Sequence, residues 1–319
     1  MKESHPQNRP IMSVTLSPKF NDDWDKLQRA LSVLIQQDQG MKTATQPTER
    51  RVIIGGIGEL HLEVICDRLV REFGVPLHLE KPAVIYLETI RKHSVAEGKY
   101  IRKVGGRGQY AHVKLELEPG EPDSGYQFMN QSPEAAVPRQ FVEAIDSGIQ
   151  EAMKTGVLAG NEIVDVRVIL RDGSYHVEDS NDMSFKIAAS MAFKEAVCKA
   201  SPVVLEPLMS VYVFTGEDFA GSIMGELNSR GGRIERLEPS ANGVVINAIA
   251  PLAELLGYHS HLRAITQGQS SSSLQFVRYE AVRNNGGSGP DEIGVPANKP
   301  GGPTERSGTA CVKPDEQFG

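Results

Sequence analysis

Met12, Val14 and Leu16 alternate with Ser13 and Thr15, the period-two pattern of a half-buried strand. Asn21 then stands where a cap belongs, ahead of Trp24, Leu27, Leu31, Leu34 and Ile35 at helical spacing and a stop at Gly40. Strands are predicted around 41–45 and 51–54. After Gly55, Gly56, Ile57 and Gly58 comes a second helix with Leu62, Ile65, Leu69 and Phe73 on one face, closed by Gly74. Val75, Leu77 and Leu79 then alternate in a strand, so the order is βαββαβ. The last third repeats it: a strand with Met209, Val211 and Val213, a helix over 217–229 with Ile223, Met224 and Leu227 inward, strands near 233–237 and 244–249, a helix opened by Pro251, and a strand over 274–279. The repeat is one of topology and not of sequence. Each unit is the split βαβ arrangement, an antiparallel four-stranded sheet with two helices on one face.

The middle reads differently. Val113, Leu115 and Leu117 alternate with His112, Lys114 and Glu116 in a half-exposed strand. Pro138 is predicted at the first position of a helix bearing Phe141, Val142, Ile145, Ile149 and Met153 and ended by Gly156. A strand over 163–170 runs into the turn-rich 171–179, after which Ser180 is expected to cap a helix burying Met183, Ile187, Ala188 and Met191. Beyond Val282, glycine and proline replace apolar periodicity, which predicts a disordered tail. The expected class is α+β, with domains at 9–81, 82–205 and 206–282 and the tail at 283–319.

Composition narrows the classes. With 39% hydrophobic and 24% charged residues the chain is that of an ordinary globular protein. No run approaches the ~18 apolar residues of a spanning helix, and no apolar segment follows the first charges, so no membrane partner and a cytoplasmic location are expected. Cys66, Cys198 and Cys311 lie far apart in no paired spacing, which suits incidental thiols. The net charge of −7 argues against nucleic-acid binding over the whole surface. Yet Arg91, Lys92, Lys99, Arg102, Lys103 and Arg107 face only Glu97, a net +5 within residues 91–107.

The glycine-rich stretches at 55–58 and 105–108 match neither a P-loop nor a dinucleotide fingerprint, so no nucleotide cofactor is expected of this chain. His61 with Glu63 and His78 with Glu80 lack metal-ligand spacing, and no nucleophile elbow is present, so neither a metal nor a catalytic residue is predicted. Two segments of the middle domain carry the candidate chemistry. Residues 104–110 hold Arg107, Gly108 and Gln109, a phosphate-binding cation and an amide for base edges, and residues 172–179 hold Tyr175 and His176 beside Asp172 and Gly173. Together they suggest an RNA-probing tip, with two ordinary surface turns as the plainer alternative.

These residues carry a resemblance. The run from Arg102 to Val113 is similar to the signature of domain IV of bacterial elongation factor G, and Asp172 to His176, with Phe185 to Ala188 and Lys194 to Val197, resembles its second tip loop and following helix. Gly58 to Glu63 and Asp67 to Leu69 look like domain III; Glu206 to Met209, Gly225 to Asn228 and Pro251 to Glu254 look like domain V. The resemblance covers about residues 9 to 282. It implies two ferredoxin-like domains flanking one with a left-handed βαβ crossover. It implies a ribosome-binding translocation arm working on rRNA, tRNA and mRNA in protein biosynthesis, expected as a monomer, with Arg107, Gly108, Gln109, Tyr175 and His176 at the decoding-centre tip. It also implies that His61 and Arg68 lie near the fusidic acid pocket, where the GTPase domain meets domain III. GTP and Mg²⁺ are the full-length family's cofactors; no segment here resembles the GTPase domain or domain II, so any hydrolysis is expected to come from elsewhere. The sequence departs at Val177 and Glu178, which invert the usual acid-valine order, and at the polar run 269–273. A recycling or tetracycline ribosomal-protection factor, or a truncated non-translocating paralogue, are the alternatives within that architecture. An unrelated enzyme using His61 or His176 would need an activating partner that the sequence does not display.

Overall fold

A computed structural model describes residues 9–104 and 107–282, the side chains of Val104 and Arg107 excepted. The tail expected at 283–319, and Cys311 within it, lie outside the described residues. The described chain forms two compact units, one from 9–85 with 206–280, the other chiefly from 86–205.

The first βαββαβ segment comprises β1 (Met12–Pro18), α1 (Trp24–Gln37), β2 (Lys42–Gln46), β3 (Arg51–Gly56), α2 (Glu59–Arg71) and β4 (Leu77–Leu79), with a short β5 (Ala83–Val84) added on β1. Its antiparallel sheet runs β2-β3-β1-β4. The predicted face of α1 buries Leu27, Leu31 and Leu34, but Ile35 is exposed and Ala30 takes its place, because a 14-residue helix against one sheet buries a narrow stripe. Asn21 starts a 3₁₀ turn instead of capping α1. Leu79 is likewise exposed, at the end of a three-residue strand.

The middle unit adds β6 (Leu87–Ile90), β7 (Ser94–Val104), β8 (Arg107–Pro119), β9 (Tyr126–Asn130), α3 (Val142–Met153), β10 (Glu162–Ile163), β11 (Val166–Ser174) and α4 (Asp182–Lys199). Its main sheet runs β7-β8-β11-β9. The outer pair, β9 and β11, is parallel and is bridged in sequence by α3, a crossover rather than a hairpin. Ala111, Val113, Leu115 and Leu117 of β8 face the helices, as their alternation predicts. Helix α4 corrects the sequence reading. Phe185, Ala188, Ala189, Ala192, Phe193 and Ala196 are fully buried, while Met183 is 59% and Met191 47% exposed. The helix packs against the sheet and α3 at once, so alanines with Phe185 and Phe193 fill two sides and the methionines take the third. How close it lies is set by glycine: a Cβ on Gly98 of β7 would sit 2.0 Å from the Ala188 carbonyl oxygen, and one on Gly148 of α3 2.4 Å from that of Lys186.

At the base of this unit Glu88 of β6 is wholly buried. Its carboxylate accepts backbone N–H bonds from Val157 and Leu158 at 2.8 and 3.0 Å on one oxygen, and from Ala159 and Asn161 at 2.8 and 3.0 Å on the other. The loop folds round it with Gly156 at φ +55°. Pro138 precedes a 3₁₀ turn at Arg139–Phe141 rather than opening α3 directly.

The last segment contributes β12 (Pro202–Thr215), α5 (Glu217–Ser229), β13 (Arg233–Ser240), β14 (Gly243–Pro251), α6 (Tyr258–Ile265) and β15 (Ser271–Ala281). Residues 202–205 of β12 pair with β6 in the middle unit, and 208–215 pair with β14. The sheet order β15-β12-β14-β13 is fourth, first, third, second, the same as in the first segment, so the repeat read from the pattern is one of topology in fact. Pro251 opens a 3₁₀ turn, Leu252–Leu255, and α6 starts only after it. The polar run 269–273 has a structural use: buried Ser270 donates to Thr215 Oγ1 at 2.7 Å, and Ser272 meets His259 Nδ1 at 2.7 Å.

Candidate nucleic-acid interface

The hairpin of β7 and β8 and the segment after β11 meet at one end of the middle unit. Register pairs Val104 with Arg107, Arg102 with Gln109 and Ile101 with Tyr110. Gln109 is therefore a strand residue, and its Oε1 accepts from the Tyr100 hydroxyl at 3.2 Å, leaving its amide N–H groups for a partner. Strand β11 extends to Ser174 across a bulge between Leu170 and Asp172, so Asp172 and Gly173 belong to the sheet and only the residues from Tyr175 onward form the second loop.

Ser180, expected to cap α4, does something else. Its hydroxyl donates to the Tyr110 carbonyl at 2.7 Å and accepts from the His176 N–H at 2.9 Å, while its own N–H donates to the His176 carbonyl at 3.0 Å. The Tyr110 N–H donates to the Asp179 carbonyl at 2.9 Å. One serine thus stitches the second loop to the hairpin, and Asn181 is the cap, its Oδ1 accepting from the Ser184 N–H at 2.9 Å. Gly108 permits this approach, since a Cβ there would lie 2.5 Å from the Asp179 carboxyl carbon. His176 Nδ1 is 3.3 Å from that carboxylate, with the side chains 58% and 37% exposed.

The two segments enclose an open cleft of about 320 Å³ whose lining includes Gln109, Tyr110, Tyr175, His176, Arg102 and Lys103. Ile101 and Tyr175 of its lining are exposed, and the Asp179 carboxylate lines it too. It offers amide, imidazole and phenol groups for base edges or ribose, ring faces for stacking, and two cations with no carboxylate partner among the described residues. Of the predicted tip residues, Gly108, Gln109, Tyr175 and His176 come together here; the Arg107 side chain lies outside the described residues. The sequence reading overlooked Tyr110, Asp179 and Ser180 as participants. Their signal was weak, because a backbone carbonyl and a hydroxyl that join two distant segments leave no spacing motif.

His61 and Arg68 stand on α2 of the other unit. The His61 Nε2 is 2.6 Å from the Asp38 carboxylate and its Nδ1 accepts from the Ile57 N–H at 3.1 Å, so the ring ties the 55–58 turn to the end of α1. Burial pushes the Asp38 carboxyl up, but hydrogen bonds from His61 and Gly40 outweigh it and hold the group below its ordinary value. Arg68 reaches the Glu72 carboxylate at 3.0 Å and Gln37 Oε1 at 2.9 Å. Both side chains have structural partners of their own. Cys66 is buried, and burial pushes its thiol up to about 11, which suits packing and not nucleophilic chemistry. No cluster of metal-ligating side chains occurs among the described residues, and no helix of the structure is long and apolar enough to cross a membrane.

Comparison with known proteins places these features. Three family models match in succession: Elongation Factor G, domain III, over residues 8–81; Elongation factor G, domain IV, over 82–201; and Elongation factor G C-terminus over 203–286. A crystal structure of a protein from Thermus thermophilus superposes with a TM-score of 0.64 at 38% identity, covering 86% of this chain and 41% of that one. The chain thus spans about two fifths of the length of the solved structure it matches. It belongs to the elongation factor G family, of which it carries domains III, IV and the C-terminal domain.

Proposed function

We propose that this elongation factor G chain is a ribosome-binding translocation arm, presenting the cleft of its middle unit to the tRNA–mRNA pair in the small-subunit decoding centre and promoting their movement. The reading is supported above all by the stitched cleft, where Tyr175 and His176 stand exposed and Gln109 half-buried on a frame fixed by Ser180. Such a frame holds recognition groups in place while engaging only one side of each, Gln109 through Oε1 and His176 through Nδ1. In this reading Arg107 and Gly108 belong to the same tip, the surface around His61 and Arg68 meets a GTPase domain, and that domain supplies GTP hydrolysis with Mg²⁺. The arm works as a monomer in the cytoplasm.

The test joins this chain to a family GTPase half and follows single-turnover translocation by toeprinting beside the rate of GTP hydrolysis. His176→Ala is expected to slow translocation about tenfold, the loss of one contact worth roughly 1.4 kcal/mol, with hydrolysis unchanged. Unaltered translocation in both His176→Ala and Gln109→Ala would remove the assignment. Subunit splitting without mRNA movement would turn the reading to recycling.

A further inference from the structure

The cations of the middle unit fall into two groups. Lys114, Arg139, Arg167, Arg171, Lys186 and Lys199 each hold a carboxylate, on Glu97, Glu134, Glu118, Glu116, Glu151 and Glu195 respectively. Arg91, Lys92, Lys99, Arg102, Lys103, Lys154 and Lys194 hold none among the described residues, and five of these seven, Arg91 to Lys103, lie on β7 or the turn just before it. The single acid of that strand, Glu97, is engaged by Lys114 and His112 of the neighbouring β8. Acid on the strand is therefore neutralised from outside while its own cations are left over, and all five of these side chains are exposed.

Strand β7 is an edge of the sheet β7-β8-β11-β9, so one side of it is uncovered by any strand. Lys99 and Lys103 project on the open face, paired across the hairpin with His112 and Gly108, and Arg102 projects on the other. Eleven residues at ~3.3 Å make the strand about 35 Å long. At one end are Arg102 and Lys103 of the cleft; at the other, Arg91 and Lys92, whose backbone N–H groups both donate to the Ala200 carbonyl, at 3.1 and 3.0 Å. Positive charge without carboxylate partners along one strand, Lys99 lying 6.0 Å from the Tyr110 ring centroid, is the feature that phosphate backbones bind, by release of their counterions.

We infer that β7 and the turn before it form a track for the sugar-phosphate backbone of the RNA whose bases the tip cleft receives, an inference that rests on the tip reading for the identity of the polymer. The track carries affinity without sequence preference, and the cleft carries recognition. An acidic protein segment fits less well, because the charge is continuous with groups suited to bases.

Fluorescence anisotropy of the 319-residue chain tests this with two labelled RNAs, a twelve-base-pair hairpin and a pentanucleotide, between 50 and 200 mM KCl. The variant Arg91→Gln/Lys92→Gln/Lys99→Gln is expected to lower the slope of log K against log salt for the hairpin by about 2 to 3 and to leave the pentanucleotide unchanged. The control Arg139→Gln/Lys186→Gln/Lys199→Gln makes the same charge change at paired cations and is expected to alter the slope by less than about 1. Equal losses in the two variants would mean net charge alone and overturn the track, as would absence of hairpin binding at 50 mM salt, or displacement of the hairpin by polyglutamate of equal charge as readily as by RNA. Gln109→Ala/His176→Ala separates the two readings: no effect on either RNA, with the track variant still weakened, sinks the tip and keeps the track. Thermal melts of all variants within about a degree of the parent confirm that each loss is one of binding.

Discussion

At the base of the middle unit Glu88 is wholly buried and receives four backbone N–H bonds; at the other end of β11 His176 and Asp179 are each more than a third exposed, and the tie between segments is a serine hydroxyl. Both ends close a loop onto a strand. The difference is what they leave over. A buried carboxylate is tolerable only when its oxygens are all engaged, so the base has no capacity for a partner and its stability is concentrated in one side chain. The tip spends backbone groups and Ser180 on its closure and keeps amide, imidazole and phenol at the surface.

The largest expected effect is at the base. Glu88→Ala leaves four N–H groups, one buried and three partly buried, without an acceptor and is expected to destabilise the middle unit by about 3–5 kcal/mol, since each orphaned donor costs about 1–3 kcal/mol before water enters. Urea unfolding measures it, and a midpoint within error of the parent would erase the contrast. Next is Gly156→Ala, at φ +55° with the Glu88 carboxylate 2.6 Å from where the new methyl would stand, expected to cost roughly 1–3 kcal/mol by strain in the same assay.

The sheet between the two ends gives an intermediate effect. Hydrogen bonds from Arg171 and His93 hold the Glu116 carboxyl down at about 2, from 4.5. A depressed carboxyl stabilises the fold above its unfolded value, so that contribution is full above about pH 5 and is lost as the pH falls through about 2. Glu116→Gln is expected to flatten the acid limb of the melting curve by on the order of 1 kcal/mol, surface screening included. An acid limb identical to the parent's would show that the ladder contributes nothing.

The smallest effects on stability belong to the tip. Ser180→Ala is expected to cost about 1 kcal/mol and to loosen the second loop, read as faster amide exchange at Tyr110 and His176. His176→Ala should leave the melting temperature within error while costing function. A loss as large as that of Glu88→Ala would make His176 a packed residue and the two ends alike.

Much of this was legible in the chain itself. The βαββαβ repeat came from periods of 2 and 3.6, because a helix or strand with one covered face must carry that period in its own residues. That Gln109 and His176 fall at one end of the middle unit was legible from the composition of their two segments, and the basic window from charge alone. What sequence could not assign was decided by contacts between distant segments. Met183, Ile187 and Met191 have a helical spacing as good as any core stripe, yet α4 is covered on two sides, and small side chains win where Gly98 and Gly148 bring backbones together. Ser180 reads as a cap one residue too early because its partner, Tyr110, is 70 positions away. Glu88 is one acid among many until the 156–161 loop folds over it, for the burial and the four donors that define its role exist only in the closed tertiary structure.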